Sequence, residues 1–196
     1  MILSDGTIKE KIYGLVDFGL SEGITESDVL QQINPNSIDL TIGAYYKRPM
    51  KSYGSTQWTY GFKNETEAAK YADEAWKTYR AKSGFILLEP NAVVLAVTRE
   101  YIRMPHDTCG QIFTKSTLGR MFINHMMAGV IDAGFEGRLT LELKNEGQHT
   151  VKIPVGSRVV QMVFQSLDKP AERPYCYRNS RYYLAETVEC AKMEQK

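Results

Sequence analysis

The chain has 196 residues, of which 43% are hydrophobic and 24% charged, which is typical of one globular domain with a substantial core. Its formal net charge of +1 argues against binding of nucleic acid or a membrane surface through a general positive field. No apolar run approaches a membrane span, and the charged N-terminus lacks the apolar region of a secretory signal. We therefore expect a cytoplasmic protein with neither nucleic acid nor membrane as a partner.

The spacing of cysteine and histidine argues against a zinc centre. The three cysteines, Cys109, Cys176 and Cys190, are far apart, odd in number and form no CxxC pair. The three histidines are equally scattered, so no combination has the usual spacing of metal ligands. We expect reduced thiols in a reducing compartment.

The N-terminus predicts a short helix. Ser4 and Asp5 can cap it, and Ile8, Ile12 and Leu15 then share one helical face. This stripe is the part of a helix that packs against a core.

The next segment predicts a loop and two strands. Residues 17–28 are polar and contain glycine, which predicts a loop, and residues 29–33 form a short apolar run typical of a strand. After a turn signal at residues 34–37, residues 38–43 alternate like a half-buried strand. Asp39 within that strand either faces solvent or is a buried hydrogen-bond anchor, and the pattern leaves both open.

Residues 44–82 combine an aromatic, basic stretch with a helical pattern. In residues 44–63, tyrosines alternate with cations, a mixture that can stack on bases, but an exposed hairpin or long loop is favoured without a basic balance elsewhere. Residues 65–82 carry an apolar stripe at helical spacing, with acids early and cations late, which complements the helix dipole. We predict a packing helix within an insertion at about residues 46–82.

From Gly84 onward the sequence predicts short strands with turns between them. The strand-like runs are residues 85–88, 92–98, 110–114, 121–127, 138–144, 149–153 and 157–166. Short strands at this spacing favour a compact barrel or jelly roll. The polar tail at about residues 169–196 is either a solvated end or a lid that folds over a ligand.

Candidate chemistry is concentrated between Gly110 and Asn145. The run at residues 115–120, KSTLGR, places two cations around two hydroxyls, which suits a phosphate. Asp132 follows a glycine turn and can accept a hydrogen bond from a sugar hydroxyl. Glu142 lies in a strand-like alternation that either holds it as a general base or turns it to solvent. Together these features predict a site for a phosphorylated metabolite.

Several motifs resemble those of the dCTP deaminase family, within the trimeric dUTPase-like superfamily. They are Pro35–Leu40 (Pro-x-Ser-hydrophobic-Asp-hydrophobic), residues 115–120 ([RK]-S-S-L-x-R), residues 131–137 (IDPGxxG), Leu141–Leu143 (LEL) and residues 170–175 (PAxRPY). The resemblance covers most of the chain in order, except the insertion. It implies one domain over residues 1–196 that is mainly β, a distorted β-barrel or jelly roll of the dUTPase-like (β-clip) type with a few helices.

The resemblance implies hydrolytic deamination of dCTP to dUTP and ammonia without zinc. By this resemblance Glu142 activates the water, while Ser116 and Arg120 position the water and steady Glu142. The main chain of Thr140 would lie beside the base, and Asp132 would bind the 3′-hydroxyl. This chemistry agrees with the missing signature of the zinc deaminases.

The resemblance also implies how the triphosphate is held. Lys115, Ser116 and Thr117 would face it from a neighbouring subunit of a homotrimer, with Mg²⁺ held mainly by the substrate phosphates. The tail would close over it. The tail residues assigned to this closure are Tyr175, Arg181, Tyr183 and, in place of the family's glutamine, Glu186.

Other reactions stay open at this point. Met127 stands where the family often has threonine, and the spacing from Ser116 to the AGVID turn is closer to that of the dUTPases. Glu142 and Arg120, which the dUTPase pattern lacks, favour deamination. The alternatives are a bifunctional deaminase and diphosphatase giving dUMP, a dUTP diphosphatase, and a catalytically silent nucleotide-binding regulator.

Overall fold

Strands make up most of the regular structure. The computed structural model describes residues 1–18, 25–50, 63–125, 129–178 and 181–192. The helices are α1 (Asp5–Leu15), α2 (Glu26–Gln32), α3 (Glu65–Ala75) and α4 (Ser116–Arg120). The strands are β1 (Val16–Asp17), β2 (Ile33–Asn34), β3 (Ser37–Pro49), β4 (Trp76–Arg80), β5 (Phe85–Leu88), β6 (Val93–Arg103), β7 (Thr108–Thr114), β8 (Ile123–His125), β9 (Val130–Ile131), β10 (Glu136–Asn145), β11 (Val151–Pro154) and β12 (Arg158–Ser166). The predicted mainly β fold class is confirmed.

One curled sheet organises the domain. Its central path is β8-β10-β6-β3-β12-β7-β9, β1 pairs with β6, and both β2 and β4 pair with β3, while β11 and β5 form a separate pair. The amide of His125 in β8 donates to Thr114 Oγ1 in β7 at 2.8 Å. This bond joins β8, at one end of the sheet, to β7, the strand next to the other end. The sheet therefore closes into a distorted barrel.

The strands around the barrel are buried to different degrees. In β10 every second residue from Gly137 to Asn145 is buried, and the side chains between them, including Thr140 and Glu142, are partly exposed. In β3, by contrast, Ser37–Gly43 are all buried, so the predicted half-buried strand is covered on both faces. Asp39 is 1% exposed. The interior reading of Asp39 is therefore correct, and the solvent reading is wrong.

A capping box starts a helix where the pattern predicts the end of a loop and then a strand. Residues 19–24 of the predicted loop lie outside the described residues. Thr25 Oγ1 accepts from the Asp28 amide at 3.2 Å, and the Asp28 carboxylate accepts from the Thr25 amide at 2.9 Å. These reciprocal bonds satisfy the first free amides of a helix, so α2 begins at Glu26 and buries Val29. The strand predicted at residues 29–33 is wrong for this reason.

The predicted helix of residues 65–82 is shorter than expected. It begins after Asn64, whose side chain accepts from the Glu67 amide, and it ends at Ala75. Trp76–Arg80 then form β4, because aromatic and β-branched side chains suit a strand and β3 extends to Pro49 as a pairing partner. Residues 44–49 are accordingly strand and not loop, while residues 51–62 lie outside the described residues. That residues 46–82 are an insertion stays a prediction.

The remaining elements follow the predictions closely. Helix α1 buries Ile8, Ile12 and Leu15 as expected. The strands predicted at 85–88, 110–114, 138–144, 149–153 and 157–166 are present within two residues at each end, and β6 extends past its predicted end to Arg103. Within the described ranges, no helix is long and apolar enough to cross a membrane.

Candidate active site

A carboxylate on β10 lies in contact with an imidazole on the neighbouring strand β8. Glu142 has a side chain that is 25% exposed, and its Oε2 lies 3.4 Å from Nδ1 of His125. Antiparallel pairing of β8 with β10 places His125 opposite Leu143, and the imidazole is only 2% exposed. The sequence analysis did not assign His125 to the site. Its contact with Glu142 arises only from the pairing of β8 with β10, which the sequence pattern does not reveal.

The C-terminal tail lies along the same face of β10. Thr140, two residues before Glu142, accepts from the amide of Glu189 through Oγ1 at 3.0 Å. Nearby, Val188 and Cys190 bury their side chains in a cluster with two residues of β6. Thr140 and Glu142 thus share a strip of surface that the tail borders.

Tyr182 in the tail lies close enough to Glu142 for the carboxylate charge to affect the pKa of its phenol. Burial raises the pKa of the Tyr182 phenol, and the negative charges of Glu189 and Glu142 add to that rise. Its hydroxyl accepts from the amide of Lys192 at 3.2 Å. The tail is therefore tied down beside the candidate base.

The KSTLGR run forms the short helix α4, and its first cation points inward. Lys115 Nζ lies 2.5 Å from Oδ2 of the buried Asp39. Ser116, Thr117 and Arg120 are exposed. The structure therefore holds Lys115 in an internal ion pair and leaves the two hydroxyls and the arginine at the surface.

The turn that carries Asp132 packs against Tyr175 of the tail. Asp132 is exposed. Gly134 has φ +81°, and a Cβ there would lie 2.7 Å from Cβ of Pro174, so only glycine fits. The amide of Tyr175 donates to the carbonyl of Ala133 at 2.8 Å. Burial raises the pKa of Tyr175, and the charge of Asp132 adds to it.

The other predicted tail residues contact protein groups in this chain. Tyr183 Oη donates to Glu136 at 3.4 Å, and Arg181 donates to the carbonyl of Lys192 at 3.3 Å. Glu186 has a side chain that is 75% exposed and lies 4.0 Å from the guanidinium of Arg138. Closure of these tail residues over a triphosphate stays a prediction. Met127, which stands where the family often has threonine, lies outside the described residues.

No protein-held metal centre is evident in the described part of the chain. Among these residues, no group of three or more His, Cys, Asp or Glu side chains could hold a metal ion. The three cysteines are free thiols. That Mg²⁺ is held mainly by the substrate phosphates stays a prediction.

A sequence profile described as dCTP deaminase-like (DCD) matches residues 2–167. The chain belongs to this family. The match includes α4, Asp132 and β10, and so it covers the candidate base and the turn that precedes it. The resemblance drawn from the motifs is confirmed.

Curated relatives within the dCTP deaminase-like family differ in their named product. "dCTP deaminase, dUMP-forming" of Methanobrevibacter smithii is 38% identical over 190 residues, which cover 92% of this chain and 89% of that protein. "dCTP deaminase" of Halorubrum lacusprofundi is 34% identical over 188 residues, which cover 93% and 86% respectively. Both kinds of relative therefore align with nearly the whole chain.

A solved structure agrees with the fold of the family. The 2′-deoxycytidine 5′-triphosphate deaminase from Agrobacterium tumefaciens superposes with a TM-score of 0.60 at 22% identity. The match covers 84% of this chain and 47% of that chain, so the chain spans about half the length of that solved protein. This match confirms the predicted mainly β fold with few helices.

Proposed function

We propose that the chain is a hydrolase that deaminates dCTP, with Glu142 as the catalytic base. The observation that carries the proposal is the placement of Glu142, a partly exposed carboxylate on the outer face of a paired strand and 3.4 Å from a buried imidazole. Membership of the dCTP deaminase-like family supports the substrate, since relatives over nearly the whole chain are named dCTP deaminases.

Hydrolytic deamination requires a group that transfers protons between the water and the nucleobase. Water oxygen bonds to C4 of the cytosine while Glu142 takes a proton from the water and passes it to N3. The bond from C4 to the exocyclic amine then breaks as Glu142 passes the second proton of that water to the leaving nitrogen, which releases ammonia and leaves the carbonyl at C4. His125 restricts the orientation of the Glu142 carboxylate, and the strand keeps both in register.

The nucleotide would be held by groups on three segments. Asp132, exposed beside Tyr175, would accept from the 3′-hydroxyl, and the main chain at Thr140 would lie along the base. Ser116, Thr117 and Arg120 are exposed on α4 and would face the triphosphate and the water. Lys115, in its ion pair with Asp39, would act chiefly by fixing α4 and not by touching phosphate.

We further propose that the site is completed between subunits of a homotrimer, with Mg²⁺ on the substrate phosphates. Phe113 is 48% exposed and Val130 is 66% exposed. Gln111 pairs with Val130, and Phe113 lies two residues further along β7, so the two apolar side chains share one face. An exposed apolar face next to α4 supports a subunit contact there. The free thiols support a cytoplasmic setting.

A second candidate reaction is the release of dUMP and diphosphate after deamination. Two relatives, 38% and 35% identical to the chain, carry the name "dCTP deaminase, dUMP-forming". This route adds a second water at the α-phosphorus and releases diphosphate. It would use the same nucleotide pose, with Asp132 and the α4 hydroxyls around the sugar and phosphates.

The decisive experiment incubates the purified protein with dCTP and Mg²⁺, measures ammonia and separates the nucleotides. Ammonia with dUTP supports the deaminase alone, and ammonia with dUMP and diphosphate supports the second candidate. If dCTP binds without turnover, the protein is a silent nucleotide-binding regulator and the proposal is wrong. Chelation of Mg²⁺ should raise the KM for dCTP if the ion accompanies the phosphates.

A matched pair of variants tests the base. Glu142→Gln should lower kcat roughly 10²- to 10⁴-fold, the usual range for a lost general base. Glu146→Gln changes an exposed acid one residue beyond that strand and 3.9 Å from Lys144, and this variant should turn over like the wild type. Equal activity of Glu142→Gln and wild type would rule out Glu142 as the base.

A further inference from the structure

The face of the sheet that carries Glu142 extends across four strands. Glu142 in β10 pairs with Leu95 in β6. Leu95 pairs with Lys47 in β3, and Lys47 pairs with Thr78 in β4. Paired residues in an antiparallel sheet point to the same side, as do residues two apart along one strand. Trp76, two residues before Thr78, therefore points to the face that carries Glu142.

The C-terminal tail crosses this face as part of an apolar cluster that is separate from the main core. The cluster consists of two buried side chains of β6 and two of the tail, Leu95, Val97, Val188 and Cys190. Ala72 of α3 and Trp76 at the start of β4 pack against the cluster. We refer to Ala72 and Trp76 as the tail seat. Because Val188 is only 1% exposed, the tail is held here by burial of apolar surface.

The surroundings of the Cys190 thiol show how close the tail lies to α3. Burial raises the pKa of this thiol, and the ammonium of Lys47 on β3 opposes that rise. The negative charge of Asp73 on α3 adds to the rise in pKa. Cys190 therefore lies within electrostatic reach of both α3 and β3, in agreement with its place in the apolar cluster.

The tail segment that contains Val188 forms a closed loop. Nη1 of Arg181 donates to the carbonyl of Lys192 at 3.3 Å, and Nζ of Lys192 donates to the carbonyl of Arg181 at 3.0 Å. We refer to residues 181–192 as the tail loop. Because its two ends are joined, a displacement of Val188 from the apolar cluster would move the whole tail loop.

The tail loop reaches the candidate active site at two points. The amide of Glu189 donates to Oγ1 of Thr140 at 3.0 Å, and both chain neighbours of Glu189 are buried in the apolar cluster. Tyr182 is the second point, since the charge of Glu142 adds to the rise that burial causes in the pKa of its phenol. The contacts of the tail seat thus continue, through the tail loop, to the strip of β10 that carries Thr140 and Glu142.

We propose that Ala72 and Trp76 are positioning residues, which hold the tail loop beside Glu142 as a preformed wall of the nucleotide site. The inference rests on the proposed deamination and gives a role to α3, which contributes no residue to the proposed mechanism. Because the fold has already ordered the tail loop, the nucleotide does not have to order it on binding. The tail seat therefore lowers the KM for dCTP and has little effect on kcat.

The test removes the larger part of the tail seat. In Trp76→Ala we expect trypsin to cleave after Arg181 roughly tenfold faster or more, because the tail loop loses its apolar support. The KM for dCTP should rise about tenfold, while kcat changes less than about threefold. Trp76→Phe keeps an apolar ring and should restore most of both properties. Lys70→Ala changes a 65% exposed side chain of α3 and should match the wild type in both.

A double-mutant cycle tests whether the tail seat and the tail act through one contact. Val188→Thr keeps the shape of the side chain but places a hydroxyl in the apolar cluster, so it should also release the tail loop. The effects of Trp76→Ala and Val188→Thr on the KM should not add, because either change releases the same loop. Val188 lies in the tail, outside the main core, so Val188→Thr keeps the test valid if Trp76→Ala fails to fold.

Three results would overturn the proposal. They are a Trp76→Ala tail that trypsin cleaves no faster than that of Lys70→Ala, faster cleavage with an unchanged KM, and additive effects of Trp76→Ala and Val188→Thr. A wild-type protein that releases no ammonia from dCTP would instead contradict the proposed function. The trypsin comparison would then still test the tail seat, with the Kd for dCTP from calorimetry in place of the KM.

Discussion

The ammonium of Lys115 lies 2.5 Å from a carboxylate oxygen of Asp39 whose side chain is 1% exposed. The two residues are 76 positions apart, so their ion pair ties the start of α4 to the middle of β3. Asn34 donates to the other carboxylate oxygen at 3.0 Å, and Arg158 lies 3.8 Å away. The ion pair therefore fixes α4, which carries the exposed hydroxyls, to the interior of the domain.

Asp39→Asn should weaken both the fold and substrate binding. The change keeps the shape but leaves Lys115 without its partner, and we expect the free energy of unfolding to fall by about 2–3 kcal/mol. Breaking a fully buried pair costs about 3–5 kcal/mol, and the smaller value follows because Lys115 is 26% exposed. Urea unfolding measures the loss of stability. Steady-state kinetics measure the loss of binding, which should appear as a rise in the KM for dCTP that is larger than the fall in kcat.

A surface pair provides the control for Asp39. Glu172 and Lys169 are 85% and 72% exposed and lie 3.8 Å apart. Glu172→Gln should leave both the unfolding curve and the KM close to wild type, because exposed pairs contribute little. An Asp39→Asn protein that unfolds and binds dCTP like this control would show that the ion pair does not anchor α4.

The sequence predicted best where burial follows a local period. The stripe of α1 and the strict alternation of β10 are both readable from neighbouring residues. The motifs located the candidate base, the Asp132 turn and α4. These features need only the residues within one element.

What the sequence missed depends on contacts between distant elements. The chain leaves the helix at Ala75 because β3 offers a pairing partner, and the interior position of Asp39 depends on its ion pair with Lys115. His125 reaches Glu142 only after β8 is laid beside β10. The periodicity of one element contains no information about its partners in other elements. The ion pair of Asp39 with Lys115 and the contact of His125 with Glu142 therefore could not be predicted.

Replacing His125 should slow deamination more than it weakens binding. His125→Phe keeps a ring of similar size but removes the nitrogen that lies 3.4 Å from Glu142. The carboxylate then loses one contact that orients it, and we expect kcat to fall roughly tenfold with a smaller change in KM. Steady-state kinetics with dCTP measure both. His149→Phe, an exposed control on the turn after β10, should behave like the wild type.

Gly137 controls the contact between β10 and the tail. Its φ is +147°, and a Cβ there would lie 2.9 Å from the amide nitrogen of Ala185. The adjoining amide of Arg138 donates to the carbonyl of Ala185 at 2.7 Å. Gly137→Ala should therefore push the tail off β10, raise the KM for dCTP and expose Arg181 to trypsin at least tenfold faster.

Gly14→Ala is the matched control for that displacement. A Cβ at Gly14 has nothing within 4 Å, and alanine in a helix is favoured over glycine by up to about 1 kcal/mol. It should leave the tail resistant to trypsin and the KM unchanged. If Gly137→Ala is cleaved no faster than Gly14→Ala, the tail does not depend on its close approach to β10.

The buried carboxylate of Glu100 predicts a pH dependence of stability. Burial raises its pKa, although Thr41 and Gln32 donate three hydrogen bonds to it, of 2.8, 2.8 and 3.0 Å. A carboxyl whose folded-state pKa is above its unfolded value binds protons better when folded. Its contribution to stability therefore falls as the pH rises from the unfolded pKa to the folded pKa, by at most about 1.4 kcal/mol per pH unit.

Glu100→Gln removes this titration. The difference in unfolding free energy between wild type and variant, measured in urea at pH values from about 5 to about 8, should shift in favour of the variant as the pH rises. Asp28→Asn tests the opposite sign, because hydrogen bonds from Thr25 lower the pKa of Asp28. Stability that Asp28 contributes is present above its unfolded pKa and is lost as the pH falls through the folded pKa. A wild-type-minus-Glu100→Gln difference that stays constant with pH would mean that Glu100 titrates in the folded protein as it does in the unfolded chain.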